Sequence, residues 1–284
     1  MKILVTGANG YLGNGIVKQL IKEGHYVVAS CRDKSNLIAG EAEIKTGNIF
    51  EIEQPYEYFG QPDVLLHLAW KNGFVHGALS HLEDLPKHYI FIKKLAESGI
   101  KKIVVMGSMH EVGFFEGSIK PETPTNPLSL YGISKNALRN SVIQLCKHNG
   151  IKYQWLRGFY IVGNSEYGCS IFSKIVQAVN AGKTTFPFTS GQNQWDFLDY
   201  DLFCHQTACA VIQDEYDDII NICSGRPEKL ADRVERFIKE NNFNISLEYG
   251  KYPDREYDSK AVWGDDSVIS KILLRNGATN EKQI

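Results

Sequence analysis

Residues 6–13, TGANGYLG, narrow what this chain can fold into more than any other stretch. Three glycines spaced three apart sit between a short apolar run, residues 3–5, and a segment whose Leu12, Ile16, Val17, Leu20 and Ile21 share one helical face. A strand that turns on glycine into an amphipathic helix brings the helix N-terminus to the strand's carboxyl end. Unpaired N–H groups and the positive end of the helix dipole meet there and favour an anion. In such a loop Gly7 permits the tight turn, Gly10 admits a pyrophosphate to the backbone, and Gly13 lets helix and strand pack closely. The expected occupant is a dinucleotide, with Asn9, Tyr11 and Leu12 beside the glycines. The spacing is G-x-x-G-x-x-G, not the G-x-G-x-x-G of many dehydrogenases, so the loop's place after the first strand carries the argument.

The same rhythm continues. Apolar runs of strand length recur at 26–29, 64–68, 103–106 and 153–156. Helical patterns lie at 11–23, 85–98 and 134–148, the last two ending at Gly99 and Gly150 as C-caps. Strands alternating with helices predict an α/β fold, a doubly wound parallel sheet covered on both faces. Residues 1–163 are expected to form that domain. Residues 164–284 repeat less regularly, with helices expected at 170–181, 201–213 and 228–240 and a short strand at 219–222. They read as a smaller lobe that closes over the sheet's carboxyl edge and does not fold independently.

Composition excludes several classes. A formal charge of -2 over 284 residues gives no general attraction to nucleic acid or to a membrane surface. The longest basic runs are pairs, Lys93-Lys94 and Lys101-Lys102, and no stretch approaches the roughly 20 apolar residues of a membrane span. A strand pattern starting at Lys2 leaves no room for a signal peptide. Six cysteines without a C-x-x-C pair suggest neither zinc nor a disulfide framework, so reduced thiols in a cytoplasmic protein are expected. The histidines at 67, 76, 81 and 88 lack metal-ligand spacing. His67 reads as a strand residue and the other three as surface or loop residues.

The end of the second strand bears on which dinucleotide binds. An NAD site places Asp or Glu there to bond the ribose 2′-OH. In VVASCRDKSN the tip is Cys31, flanked by Ser30 and by Arg32, which can pair with a 2′-phosphate. NADP(H) is therefore expected over NAD(H), although a one-residue shift would restore a carboxylate through Asp33. Asn48 and Ile49 fall where a contact to the adenine edge is expected.

Chemistry is expected at GSMHEVG (107–113) and PLSLYGISK (127–135). Tyr131 and Lys135, four apart, share a helix face. An ammonium and an oxidised nicotinamide both favour a phenolate, which makes the tyrosine a general acid or base near neutrality. Ser108, at a strand's carboxyl end, can donate to a substrate carbonyl as charge develops. A second Tyr-x-x-x-Lys, Tyr89 with Lys93, lies within a helix near no glycine loop and reads as packing.

TGANGYLG, LLHLAW (65–70), GSMHEVG, YGISK and WLRGFYIVGN (155–164), in this order, resemble the extended short-chain dehydrogenase/reductases, the NAD(P)-dependent epimerase/dehydratase group acting on nucleotide sugars. The resemblance is strong over about residues 1–165 and loose beyond. It implies a Rossmann-like fold with a smaller C-terminal substrate-binding lobe and a catalytic set of Ser108, Tyr131 and Lys135. It also implies that Leu68, Ala69, Trp70, Tyr160, Ile161 and Val162 lie along the cofactor, with Tyr131 and Lys135 touching it too. Trp70, Ser108, Met109 and His110 would meet the sugar.

Departures from the group's patterns narrow the expected reaction. Its 4,6-dehydratases carry Thr-Asp-Glu at the serine strand's end. Here an alignment on Gly113 reads Ser108-Met109-His110, and an alignment with a one-residue gap keeps only Glu111. Its epimerases retain NAD through a carboxylate where Cys31 stands. The best match is a nucleotide-diphosphate 4-keto-6-deoxyhexose reductase. In that reading hydride passes to the sugar C4 carbonyl, Tyr131 protonates the alkoxide, Ser108 orients the carbonyl, and Lys135 holds the ribose and lowers the tyrosine's pKa. A C4 epimerase and a non-catalytic NADP-sensing regulator are the alternatives. In the second lobe Trp195 stands where the group places an arginine on the pyrophosphate, and it either stacks on the substrate or packs. Arg226 and Arg255 are spare cations for a diphosphate. By analogy with the group, the helices at 85–98 and 134–148 are expected to form a homodimer interface.

Overall fold

A computed structural model describes residues 1–33, 40–166, 168, 170–254 and 258–277. Strand and helix alternate from the start: β1 (Lys2–Thr6), α1 (Tyr11–Lys22), β2 (Tyr26–Cys31), β3 (Glu43–Thr46), a 3-10 turn (Ile49–Glu51), α2 (Pro55–Tyr58), β4 (Val64–His67), α3 (Ser80–Ala96) and β5 (Lys102–Ser108). A second 3-10 turn (Met109–Glu111) leads to β6 (Gly117–Ile119), α4 (Leu130–Asn149), β7 (Lys152–Gly158) and β8 (Tyr160–Val162). The remainder comprises α5 (Ile171–Asn180), β9 (Thr185–Pro187), β10 (Gln194–Asp199), α6 (Tyr200–Ile212), β11 (Asp218–Ile222), β12 (Pro227–Lys229), α7 (Leu230–Glu240), β13 (Ser246–Glu248), β14 (Ala261–Gly264) and α8 (Ser267–Arg275).

The central sheet runs β3-β2-β1-β4-β5-β7-β11, and all its strands are parallel. It is the doubly wound, Rossmann-like arrangement expected. Every residue of β4 and β5 is buried, as strands covered on both faces require. Period-two alternation sorts the strand side chains. Ile3 and Val5 pack with Ile16, Val17 and Leu20 of α1 and with residues of α6 and α8, whereas Leu4 points to the other face among residues of α3 and α4. Strand order reverses between β1 and β4, so a crevice opens at their carboxyl ends, where α/β sheets bind ligands.

A second sheet, β12-β10-β14-β6 with β8 beside β10, carries the cluster built from α5, α7 and these strands. The chain crosses position 164 in both directions. The strand expected at 219–222 is β11, and it closes the edge of the central sheet beside β7, not a strand of the smaller lobe. The helix expected from residue 228 starts at Leu230, because residues 227–229 pair with β10. The helix expected at 85–98 begins five residues earlier at Ser80 and carries Pro86 inside it. A proline there removes one helical hydrogen bond, and the buried face of His81, His88, Phe91 and Ile92 keeps the helix in place around it.

Candidate active site

The glycine loop is shaped by what passes next to it. Gly7 adopts φ +71°, and a Cβ there would lie 2.9 Å from the backbone of Ala69. The chain leaving β4 therefore crosses directly under the loop. Leu68 and Ala69 are tied to it by Leu68 N–H to the Thr6 carbonyl at 3.2 Å and Ala69 N–H to Thr6 Oγ1 at 3.3 Å. At Gly13 a Cβ would run into the carbonyls of Gly7 and Ala8, so the first turn of α1 sits close against the end of β1. Gly10 caps α1 with no side-chain hydrogen bond. The backbone N–H groups of the helix's first turn thus have no helical partner and face the crevice mouth. This cradle, which side chains would fill, fits a pyrophosphate.

On one side the Tyr11 ring lies 4.5 Å from that of Tyr200, tilted by 40°, and the Tyr200 hydroxyl donates to the Tyr11 carbonyl at 2.5 Å. The Tyr11 hydroxyl also lies against Gly163, which brings the segment from Tyr160 to Val162 beside the loop. On the other side Ser30 is buried, and its carbonyl accepts from Ala8 N–H at 3.1 Å. Cys31 is buried as well, Arg32 is exposed, and Asp33 accepts from Asn9 Nδ2 at 3.4 Å through its carboxylate. Asn48 caps the first 3-10 turn, taking Phe50 N–H and donating to Glu51, while Ile49 is buried beneath it.

Ser108, Tyr131 and Lys135 converge. Ser108 ends β5, and its hydroxyl hydrogen-bonds the Tyr131 phenol. Burial pushes the phenol up to about 12, against the pull of Ser108. The depression expected from Lys135 is not seen, because burial of the phenol dominates. Lys135 is buried, donates to the Met106 carbonyl at 2.8 Å, and lies 3.9 Å over the Trp70 ring. Burial pushes its ammonium down to about 7, with Glu111 opposing.

Glu111 faces away from this cleft. It completes a capping box with Ser108, accepting Ser108 N–H at 2.6 Å. Trp155 Nε1 donates to both of its oxygens, and Arg139 and Arg157 stand at 3.5 and 4.0 Å. Burial raises its pKa, while the guanidinium groups and the N–H donors lower it. Every partner is a donor, so the group is held as a carboxylate. It fixes the β5 elbow that presents Ser108.

Histidines crowd the site more than spacing implied. His81 and His88 are buried, not superficial. His76 stacks on the Tyr131 ring at 5.1 Å and 9° and accepts Tyr131 N–H on its carbonyl at 2.9 Å. His110, pushed down to about 4 by burial, lies edge-on to His76 at 4.4 Å and to Tyr160 at 6.3 Å. The i, i+7 spacing of His81 and His88 on one helix face was the available signal, but it acquires meaning only once His67 is placed across from them.

The remaining expected contacts divide. Tyr160 stacks on Trp195 at 4.8 Å and 16°, and the Trp195 N–H is taken by the Ser259 carbonyl at 3.1 Å. The two form an aromatic wall facing His110, so packing is at least part of Trp195's role. Met109 is buried in a small cluster with Val112, Ile119 and Phe159. Arg226 is exposed in the turn before β12, apart from the Ser108–Tyr131 pair, and Arg255 lies outside the described residues.

Residues 3–223 match the model of the NAD dependent epimerase/dehydratase family. The chain belongs to that family. Within it, a dTDP-6-deoxy-L-talose 4-dehydrogenase (NAD(+)) from Aggregatibacter actinomycetemcomitans is 42% identical over 270 residues, covering 93% of this chain and 99% of that protein. Similar structures include UDP-glucose 4-epimerase from Thermotoga maritima with UDP-glucose, with TM-score 0.80, 20% identity and coverage of 95% and 92%. Another is the UDP-glucose 4-epimerase of Stenotrophomonas maltophila with bound NAD, with TM-score 0.84, 16% identity and coverage of 100% and 95%. This family member is therefore an oxidoreductase of the extended short-chain dehydrogenase/reductase type. No helix among its described residues is long and apolar enough to cross a membrane.

Proposed function

We propose that the chain is a nicotinamide-dependent 4-oxidoreductase of a nucleotide-diphosphate-activated 6-deoxyhexose, interconverting the C4 ketone and alcohol. The observation that carries this reading is the Ser108–Tyr131 pair beside buried Lys135, with Glu111 turned away and, among the described residues, no second acid placed with the pair for water elimination. The name of the 42% identical relative points the same way. The nicotinamide supplies or accepts the hydride when bound. Ser108 orients the C4 oxygen, and Tyr131, protonated across neutrality, donates its hydroxyl proton to that oxygen as negative charge builds on it. Backbone amides of residues 10–12 would hold the pyrophosphate and Lys135 the ribose. His110, Tyr160 and Trp195 line the sugar's side.

For the cofactor, NAD(H) is the better reading than the NADP(H) expected from Arg32. Asp33 reaches the glycine loop through Asn9, where a carboxylate suits a ribose hydroxyl and repels a 2′-phosphate, and the relative is named for NAD(+). Asp33→Ser is expected to weaken NADH binding about tenfold and to narrow the gap to NADPH, as measured by quenching of intrinsic fluorescence.

The reading is tested with purified protein, NADH or NADPH, and 4-keto-6-deoxyhexoses on dTDP, UDP, GDP and CDP. Consumption of reduced nicotinamide with formation of the 4-hydroxy sugar supports it. Tightly retained NAD with C4 inversion of a nucleotide sugar and no net nicotinamide turnover would establish a 4-epimerase instead. A homodimer through α3 and α4 belongs to the same proposal. Leu82, Ile90 and Ile133 on those helices are exposed apolar side chains, and sedimentation should return twice the monomer mass of 32.0 kDa.

A further inference from the structure

Trp70 follows β4 and is held on several sides. Its indole stacks on His88 at 4.5 Å and 16°, and its N–H donates to His81 Nδ1 at 3.0 Å. That bond sets the His81 tautomer, with Nε2 carrying the proton toward the Val75 carbonyl at 3.0 Å. His88 is itself fastened. Its Nδ1 shares a proton with His67 Nε2 at 2.8 Å, and His67 Nδ1 meets Thr6 Oγ1 at 2.8 Å. Thr6 is the residue from which the glycine loop springs. A buried line thus runs from the end of β1 through β4 and α3 to the indole. On the indole ring, at 3.9 Å, rests the Lys135 ammonium.

An ammonium this deeply buried needs compensation, and its direct contacts supply little. Nζ has one hydrogen-bond acceptor among the described residues, the Met106 carbonyl. The titratable groups around it are Glu111 from the 3-10 turn after β5, His67 from β4, His88 from α3 and Tyr131 one turn earlier on α4. Glu111 attracts it but is shared with Arg139 and Arg157. The histidines are held neutral by burial, and His67 Nδ1, His67 Nε2 and His88 Nδ1 are all committed to the bonds just described. Among the described residues, the electron-rich indole face adds stabilisation from a side chain in direct contact. A desolvated cation over tryptophan gains more than over phenylalanine, and an aliphatic side chain gives nothing comparable.

We propose that Trp70, braced by His81 and by the His88–His67–Thr6 line, is a positioning residue that keeps the Lys135 ammonium charged and seated on the Met106 carbonyl. Besides its own edge-on contact with the Tyr131 ring at 6.3 Å, it acts on the cofactor through Lys135. The same brace links the seat of that lysine to Thr6, so the glycine loop and the catalytic helix are registered against each other through one set of rings.

The inference rests on Lys135 belonging to the cofactor site, but its test needs neither cofactor nor sugar. Protein labelled with 13C at lysine Cε is titrated in the absence of ligands, and the Lys135 resonance is assigned by its loss in Lys135→Met. In Trp70→Leu the midpoint is expected to fall by about one pH unit, and in Trp70→Phe by a smaller step. Thermal melting checks that each variant is folded. If Trp70→Leu does not fold, Trp70→Phe against the wild type decides by the same sign. Equal midpoints in all proteins overturn the proposal. So does a rise in the leucine variant, which would mean that water entering the vacated space matters more than the ring. Activity toward every 4-keto sugar could be absent while this series still behaved as stated, so the two readings fail separately.

Discussion

Tyr131→Phe is expected to lower kcat for reduction of the 4-keto sugar about a thousandfold while leaving cofactor affinity within about twofold. The substitution removes one oxygen from a ring that His76, His81, His110 and Trp70 hold on all sides, so the packing survives and the proton is lost. The sign of the pH dependence follows from the phenol's upward displacement to about 12. In reduction the hydroxyl is already protonated and ready to donate at neutral pH. In alcohol oxidation the phenolate is required, so the rate should climb as pH rises above about 7. Stopped-flow traces in both directions check this. A Tyr131→Phe protein that retained wild-type reduction, or a wild-type protein whose oxidation rate fell with rising pH, would remove the phenol from the reaction.

Glu111→Gln is expected to be the costliest single-atom exchange in the chain. The wild-type carboxylate accepts from Ser108 N–H and Trp155 Nε1 and sits beside two guanidinium groups, and Glu111 and Arg157 are fully buried. A carboxamide turns one of those oxygens into a donor facing donors and leaves two buried cations without their counter-charge. Breaking a buried pair in this way costs about 3–5 kcal/mol. For a chain of this size that is a fall of about 10 °C in Tm. Because the capping box also sets the β5 elbow, surviving folded protein should show a reduced kcat with an unchanged KM for the cofactor. Calorimetry and steady-state kinetics on the same preparation separate the two effects. An unchanged Tm would show that the carboxylate is dispensable to the core.

Much of the architecture can be read from local pattern. The first strand, the glycine turn and α1 are where residues 2–22 place them, because their signals lie within a few turns of chain. The helices at 134–148 and 170–181 also stand close to their expected bounds, framed by Ser129 and Ser170 as N-caps and by the left-handed Gly150. Two readings failed for one reason. The apolar pattern started the helix at 85–98 five residues late, and the looser rhythm past residue 164 placed the strand at 219–222 in the smaller lobe. Contacts distant in sequence overruled both, through the buried face of α3 and the edge of β7. The convergence of Ser108, Tyr131 and Lys135 was legible because Tyr131 and Lys135 lie four apart on one helix and Ser108 ends an apolar strand.

Nothing local reveals that Trp70 meets Lys135, that His67 joins Thr6 to His88, or that Glu111 is tied to Ser108, Trp155 and two arginines. Residues 6, 67, 70, 88 and 135 come together only because parallel strands β1 and β4 align their carboxyl ends and α3 and α4 pack across them. By itself the sequence determined the βα alternation, the glycine cradle and the placing of Tyr131 beside Lys135 on one helix face, since periodicity, glycine conformation and helical spacing act over a few residues. Tertiary structure decided the surroundings that raise the pKa of Tyr131 and lower that of Lys135, and the groups that support both side chains. Those depend on burial and on which side chains face one another, which are properties of the assembled layers.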